Sequence, residues 1–283
     1  MRFRILGPVD CATGSGELLA TGQRQQKLLA ALLLDAGRAV STDTLISIVW
    51  DDWPPATARN QIHTRVSRLR RAFAGAERPP RIASGPAGYW LHLDDSELDV
   101  AVFRDLVARG YAEQERGQLA TAVETLQAAL SLWRGPALAG LSSTRLEARA
   151  AHLEESRLVA TESMLRLLLR LGRGAEVLDA LPDVMARHPL HEGLVELRMC
   201  ALLQTGRRAE ALGAYSQLRE RLADELGLDP RQGLVSLHRD ILRGTAEAPA
   251  AARVGRRSAA RSRVRRTVVR STGPRSRPDG YAA

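Results

Sequence analysis

WDDWPPATARNQIHTRVSRLRRAF, residues Trp50–Phe73, is the stretch that decides the fold. Within it Ile62, Val66, Leu69 and Phe73 recur at i, i+4, i+7 and i+11, the spacing of one buried stripe on an α-helix. Thr57 stands where an N-cap is needed. Ahead of it, Asp51-Asp52-Trp53-Pro54-Pro55 reads as a rigid loop, because proline fixes φ and donates no hydrogen bond. At about 100° per residue, the face opposite the stripe carries Asn60, Thr64, Ser67 and Arg71, with His63 and Arg68 on its shoulders. Arg59, Arg65 and Arg70 flank the buried stripe, placed to reach the phosphates of the DNA backbone. From Arg59 to Arg81, seven arginines face a single acid, Glu77. Chemically the outward set suits a DNA groove: arginine addresses guanine O6 and N7, asparagine adenine N6 and N7, and threonine a thymine methyl.

Toward the N-terminus, Phe3-Arg4-Ile5-Leu6 and Leu18-Leu19 read as short strands around a loop rich in Gly, Thr and Ser. Leu28, Leu29, Leu32 and Leu33 then form a helical stripe that Gly37 ends. Arg24 and Lys27 open that helix and are placed to hold a DNA backbone near its positive end. Ser41 or Thr42 caps a second helix bearing Leu45, Ile46 and Val49. Trp50 completes its apolar face, whereas Trp53, between two acids and two prolines, is hard to bury. Beyond Pro79-Pro80, Ile82-Ala83 and Tyr89–Leu93 predict two strands around Ser84-Gly85-Pro86-Ala87-Gly88. That hairpin is a wing, with Ser84, Gly85, Gly88 and Tyr89 as its candidate contacts. Residues 1–96 thus read as a winged helix-turn-helix.

From Asp99 to about Leu242 the periodicity stays helical, so the fold class is mainly α with small β elements. Gly172, Ala175, Leu178 and Ala180 match Gly206, Ala209, Leu212 and Ala214 at an offset of 34 residues, the tetratricopeptide period. A looser copy starts at Gly117, and Trp133-Arg134-Gly135-Pro136 interrupts the spacing. Asp229 and Pro230 are the expected N-cap and first residue of a closing helix. Residues 97–244 therefore read as a tetratricopeptide-like domain. The tail, 245–283, carries ten arginines against Glu247 and Asp279 without apolar periodicity, and is expected to be a disordered basic segment.

The net charge of +9 on 283 residues is mostly that tail, so it does not argue for nucleic-acid binding on its own. Cys11 and Cys200 lack metal-ligand spacing, and the longest apolar run, Leu28–Leu34, falls well short of the roughly 20 residues that span a bilayer. No secretory segment is visible, and a cytoplasmic, nucleoid-associated protein is expected. Lys27, the only lysine, ends no phosphate-binding loop, and His188 and His191 lack a third metal ligand. No cofactor, metal or enzyme chemistry is expected.

Together these stretches resemble the Streptomyces antibiotic regulatory protein family in its small form. The resemblance rests on Arg2–Pro8 (RFRILGP), Gly22–Leu34 (GQRQQKLLAALLL), Trp50–Phe73, Gly85–Leu91 (GPAGYWL), Leu132–Ala139 (LWRGPALA) and Gly206–Leu228. It implies a winged helix followed by a bacterial transcriptional activation domain. The implied function is activation of a secondary-metabolite gene cluster by paired protomers on direct promoter repeats. The implied partners are double-stranded promoter DNA and the RNA polymerase holoenzyme, met through its sigma subunit. Asn60–Arg71 would be the recognition helix, Gly85–Tyr89 the wing, and Asp51, Asp52, Trp53 and Pro54 the polymerase-facing loop. The competing reading is a tetratricopeptide-type scaffold that binds nucleic acid without specificity.

Overall fold

The computed structural model describes residues 2–12, 22–74, 79–94 and 97–246. Strands β1 (Arg2–Arg4) and β2 (Asp10–Ala12) pair antiparallel, with Phe3 opposite Cys11. The expected partner strand at Leu18-Leu19 lies outside the described residues, and the pairing is made by Asp10–Ala12 instead. Phe3 and Cys11 are both buried, and Arg4 pairs with Asp10 beside them. Helices α1 (Gln23–Leu34), α2 (Thr42–Trp50) and α3 (Ala58–Phe73) follow, then strands β3 (Arg81–Gly85) and β4 (Gly88–His92).

Local chemistry accounts for the start of α2 but not for that of α3. The Ser41 side chain caps α2 by accepting from the Thr44 N–H at 3.0 Å. Thr57 occupies the N-cap position of α3, but its hydroxyl makes no cap bond. Its φ of −89° and ψ of 9° leave the extended region that a capping side chain needs, and its Oγ1 accepts from Gln61 Nε2 instead.

The helical array comprises α4 (Asp99–Glu115), α5 (Leu119–Leu130), α6 (Thr144–Arg170), α7 (Gly174–Arg187), α8 (Glu192–Gln204), α9 (Arg208–Leu226) and α10 (Gln232–Arg243). Gly117, Gly172 and Gly206 have φ of +79°, +76° and +76° at the joints after α4, α6 and α8. At each joint the next residue's N–H reaches back five positions: Gln118 to Glu113, Arg173 to Leu168, Arg207 to Leu202. This is one αL turn used three times, which only glycine adopts without strain. Five residues past each glycine, Ala122, Val177 and Ala211 are wholly buried. The offset of 34 and its looser copy at Gly117 are thus repeats of a helix–turn–helix unit.

The closing helix departs from expectation. It starts at Gln232, with Arg231 rather than Asp229 at the N-cap position. Pro230 is buried, and the Arg231 N–H donates to Glu192 Oε2 while its guanidinium pairs with Glu196. Anchorage to α8 sets the start of α10.

One apolar cluster runs from Phe3 through α1–α3 and the wing to Phe103, Trp133, Leu138, Leu146 and Ala160. It crosses the boundary expected at residue 96. The interrupting segment Trp133–Ala139 lies against the start of the chain: Arg134 N donates to Leu6 O, Leu138 N to Ile5 O, and Ala139 N to Gly7 O, at 2.9–3.1 Å. From the other side, the Asp99 carboxylate accepts from the Ile5 and Leu6 N–H groups at 2.9 Å. Burial pushes the Asp99 carboxyl up, against the pull of its backbone donors and Arg134.

Asp99→Ala would strand two buried N–H groups, each costing about 1–3 kcal/mol. Urea unfolding should therefore show a loss of about 2–4 kcal/mol, with Asp99→Asn milder because one acceptor oxygen remains. A loss below about 0.5 kcal/mol for the alanine variant would mean that Asp99 does not hold the segment.

Candidate nucleic-acid interface

Helix α3 sits on the core through Ala58, Ile62, Val66, Leu69 and Phe73, and Phe73 meets Phe3 edge-on at 5.6 Å. The expected base-reading set, Asn60, His63, Thr64, Ser67, Arg68 and Arg71, is exposed. The helix carries five arginines and no acid. Thr64 spends its hydroxyl on the Asn60 carbonyl, at 3.0 Å, which leaves its methyl as the free contact group.

The flanking cations divide into two kinds. Arg59 pairs with Asp43 on α2 at 2.7 Å, and Arg70 donates to Ile82 O and Ser84 Oγ on the wing, at 3.0 and 3.2 Å. These two hold α3 to its neighbours. Arg24 and Arg65 each lie 6.0 Å from the Trp50 ring centroid. Burial, then the charges of Arg24 and Arg68, hold the Arg65 pKa below its usual value, and Arg65 Nε is buried without a hydrogen-bond partner. Two guanidinium groups thus flank one indole, a third acts on Arg65 from α3, and none of the three is ion-paired among the described residues, an arrangement that an anion would relieve.

Lys27 does not join them. It is 8% exposed, and its Nζ pairs with Asp51 at 3.3 Å. It lies on the inner side of α1, where a buried ammonium requires a carboxylate. Asp51 is likewise withdrawn from the loop surface: its Oδ1 accepts from the Thr144 N–H at 3.2 Å. Burial would push its carboxyl up, but Ser143, Lys27 and Thr144 outweigh this and hold it below the usual carboxylate range. Asp52, Trp53 and Pro54 stay exposed, Trp53 at 88%, while Trp50 is buried. Trp53, Pro54 and Pro55 share a shallow cleft with Arg24, Trp50 and Gln61.

The wing pairs Ser84 with Tyr89 and turns at Pro86-Ala87. Of the four expected contacts, Ser84 and Gly85 are exposed, whereas Gly88 and Tyr89 are buried. Gly88 has φ +124°, and a Cβ there would come within 2.1 Å of Val40 O. Tyr89 exchanges both backbone hydrogen bonds with Val40, at 2.7 and 2.9 Å. The chain before α2 thereby adds a third edge to the hairpin. The Tyr89 hydroxyl lies 2.6 Å from His63 Nδ1. Burial raises the phenol above its usual pKa, against Arg70 and Arg59, so it stays protonated at neutral pH. Tyr89 therefore braces an exposed histidine on the outward side of α3. The exposed wing tip is Pro86-Ala87, inside the expected wing Gly85–Tyr89 but not among its four named contacts. Its signal was present: a two-residue turn between glycines, Gly85-Pro86-Ala87-Gly88.

Among the described residues no group of three or more His, Cys, Asp or Glu could hold a metal ion, and no helix is long and apolar enough to cross a membrane.

Comparison with known proteins adds a family context. Residues 98–242 match the family described as bacterial transcriptional activator domain, and residues 16–89 match transcriptional regulatory protein, C terminal. The regulatory protein DnrI of Streptomyces peucetius is 35% identical over 271 residues, covering 90% of this chain and 99% of DnrI. The regulatory protein AfsR of Streptomyces griseus is 40% identical over 248 residues, which is 87% of this chain. The chain spans only 25% of AfsR, about a quarter of its length. Among solved structures, Mycobacterium tuberculosis EmbR in complex with a low-affinity phosphopeptide superposes with a TM-score of 0.82 at 34% identity, covering 87% of this chain and 66% of that one.

Replacing Gly88 tests the joint behind the wing. Gly88→Ala should destabilise the protein by about 2 kcal/mol or more, since the new methyl group meets backbone rather than a yielding side chain. An unchanged urea midpoint would show that the Val40 strand can move aside.

Proposed function

Because the chain belongs to the Streptomyces antibiotic regulatory protein family of transcriptional regulators, we propose that it activates a secondary-metabolite gene cluster by sequence-specific promoter binding. The observation that carries this reading is the exposed, acid-free, arginine-rich face of α3. Asn60, His63, Thr64, Ser67, Arg68 and Arg71 read base edges in the major groove. Arg24 and Arg65, the two cations stacked on Trp50, hold phosphates. Arg59 and Arg70 keep the helix in register with α2 and the wing. Ser84, Gly85, Pro86 and Ala87 approach the neighbouring backbone or minor groove.

Protomers bind in pairs on direct repeats, and Asp52, Trp53 and Pro54 face the sigma subunit of RNA polymerase. Pro54 and Pro55 stiffen that loop, which lowers the entropy lost on docking. Residues 1–96 supply DNA recognition, 97–244 the activation domain, and the basic tail adds nonspecific attraction to DNA in the cytoplasm. A scaffold without specificity would leave the outward set on α3 without a use.

Two measurements test the reading. Arg71→Ala should lower affinity for the footprinted promoter repeat by about 1–3 kcal/mol and relax preference at one base position, while random duplex binds nearly as before. Equal losses on both DNAs would make Arg71 a phosphate contact. Trp53→Ala should leave melting temperature and promoter affinity unchanged but reduce transcription in a purified polymerase assay. Full transcription from that variant would remove the loop from polymerase contact.

A further inference from the structure

Between α7, α8 and α9 lies a groove of about 380 Å³. Its floor is formed by Leu181, Val195, Leu202 and Leu218, all buried. Its lining includes Arg198, Arg207 and Arg221 and not one carboxylate. Arg207, at the N-cap of α9, is held by Glu210 in the first turn of that helix, through two hydrogen bonds. Arg198 and Arg221 form no ion pair among the described residues, although Arg198 lies near enough to Glu210 to act on its carboxyl. Pro182, inside α7, lacks the N–H that would bond to the carbonyl of Leu178, and both residues line the groove. An acceptor is thereby freed beside the apolar floor.

A second cavity of similar size makes the charge imbalance informative. It lies between α4 and α6, holds about 360 Å³, and is lined by Arg104 and by Glu155, one charge of each sign. The groove on α7–α9 lacks that balance. An apolar floor whose lining carries guanidinium groups and no carboxylate fits a ligand that carries both leucine-like side chains and carboxylates, because arginine binds carboxylates in a charge-assisted, often bidentate geometry.

We propose that this groove docks an acidic amphipathic segment of a partner protein, its apolar side chains on the leucine floor and its carboxylates on Arg198 and Arg221. The chain's own tail is not that segment, since ten arginines against two acids would meet like charge. Duplex DNA is not the occupant either: it brings anions but no apolar group for the floor. The proposal is independent of how α3 is used.

The test uses the full chain and a fluorescent synthetic peptide that places leucines on one helical face and glutamates on the other. Two control peptides replace glutamate by lysine, or leucine by serine. The acidic, leucine-bearing peptide should bind at least about tenfold tighter than either control. Arg221→Glu, on an exposed position, should weaken it about tenfold, and the milder Arg198→Gln should weaken it less. Arg68→Ala combined with Arg71→Ala should leave it unchanged. The proposal is overturned by equal binding of the three peptides, by no binding, or by a loss that follows the α3 variant instead of the groove variants. Tight binding of a peptide covering 245–283, or of random duplex, abolished by Arg221→Glu would assign the groove to the tail or to nucleic acid instead.

Discussion

The backbone of Ile5–Gly7 lies away from water and must find its hydrogen-bond partners inside the protein. It finds them in residues about a hundred positions further on. Asp99 takes the N–H groups of Ile5 and Leu6, and the N–H groups of Arg134, Leu138 and Ala139 take the carbonyls of Leu6, Ile5 and Gly7. The segment that follows β1 therefore has no complete structure without the helical array. Phe3, which this segment positions, supports Phe73 at the end of α3, and Phe103 packs edge-on to Trp133 on the other side. The orientation of the arginine-rich helix thus depends on contacts made by α4 and by the loop before α6.

A second tie joins the same two regions. Lys27 neutralises Asp51, and Asp51 accepts from Thr144 at the start of α6. Asp51 has φ +52°, an unfavourable backbone for an aspartate, and its fixed side chain offsets that cost. The loop that follows rises from this anchored point, so Trp53 is exposed on a rigid base rather than on a floppy turn. Arg24 and Arg65 share the indole of Trp50 just beneath it. Two cations and an exposed aromatic are thereby held within one small region.

The helical array transmits this arrangement through repetition. The same αL turn after Gly117, Gly172 and Gly206 sets successive helix pairs, and the buried residue five positions later seats each on its neighbour. The long α6 and the segment Trp133–Ala139 break the repeat because that segment serves the N-terminal strand. Helices α7–α9 are free of that duty, and there the groove with unbalanced arginines opens.

By itself the sequence determined the elements whose signal is local. The stripe Ile62-Val66-Leu69-Phe73, the outward set from Asn60 to Arg71, a cap at Ser41 or Thr42, the exposed Trp53 and the offset of 34 residues were all legible, because periodicity and turn chemistry act within a few residues. Only the tertiary structure decided what covers each face. Lys27 resembles Arg24 in sequence, yet a carboxylate 24 residues away buries it as a structural pair. Gly88 and Tyr89 look like wing contacts until Val40 is seen bonded to Tyr89 and lying close against Gly88. Arg59 and Arg70 look like phosphate ligands until Asp43 and Ser84 claim them, and the start of α10 shifts because Glu192 and Glu196 capture Arg231. A helical face reports where a side chain points, but its partner arrives from a distant part of the chain. The chemistry of a buried or half-buried charge belongs to that partner as much as to the residue itself.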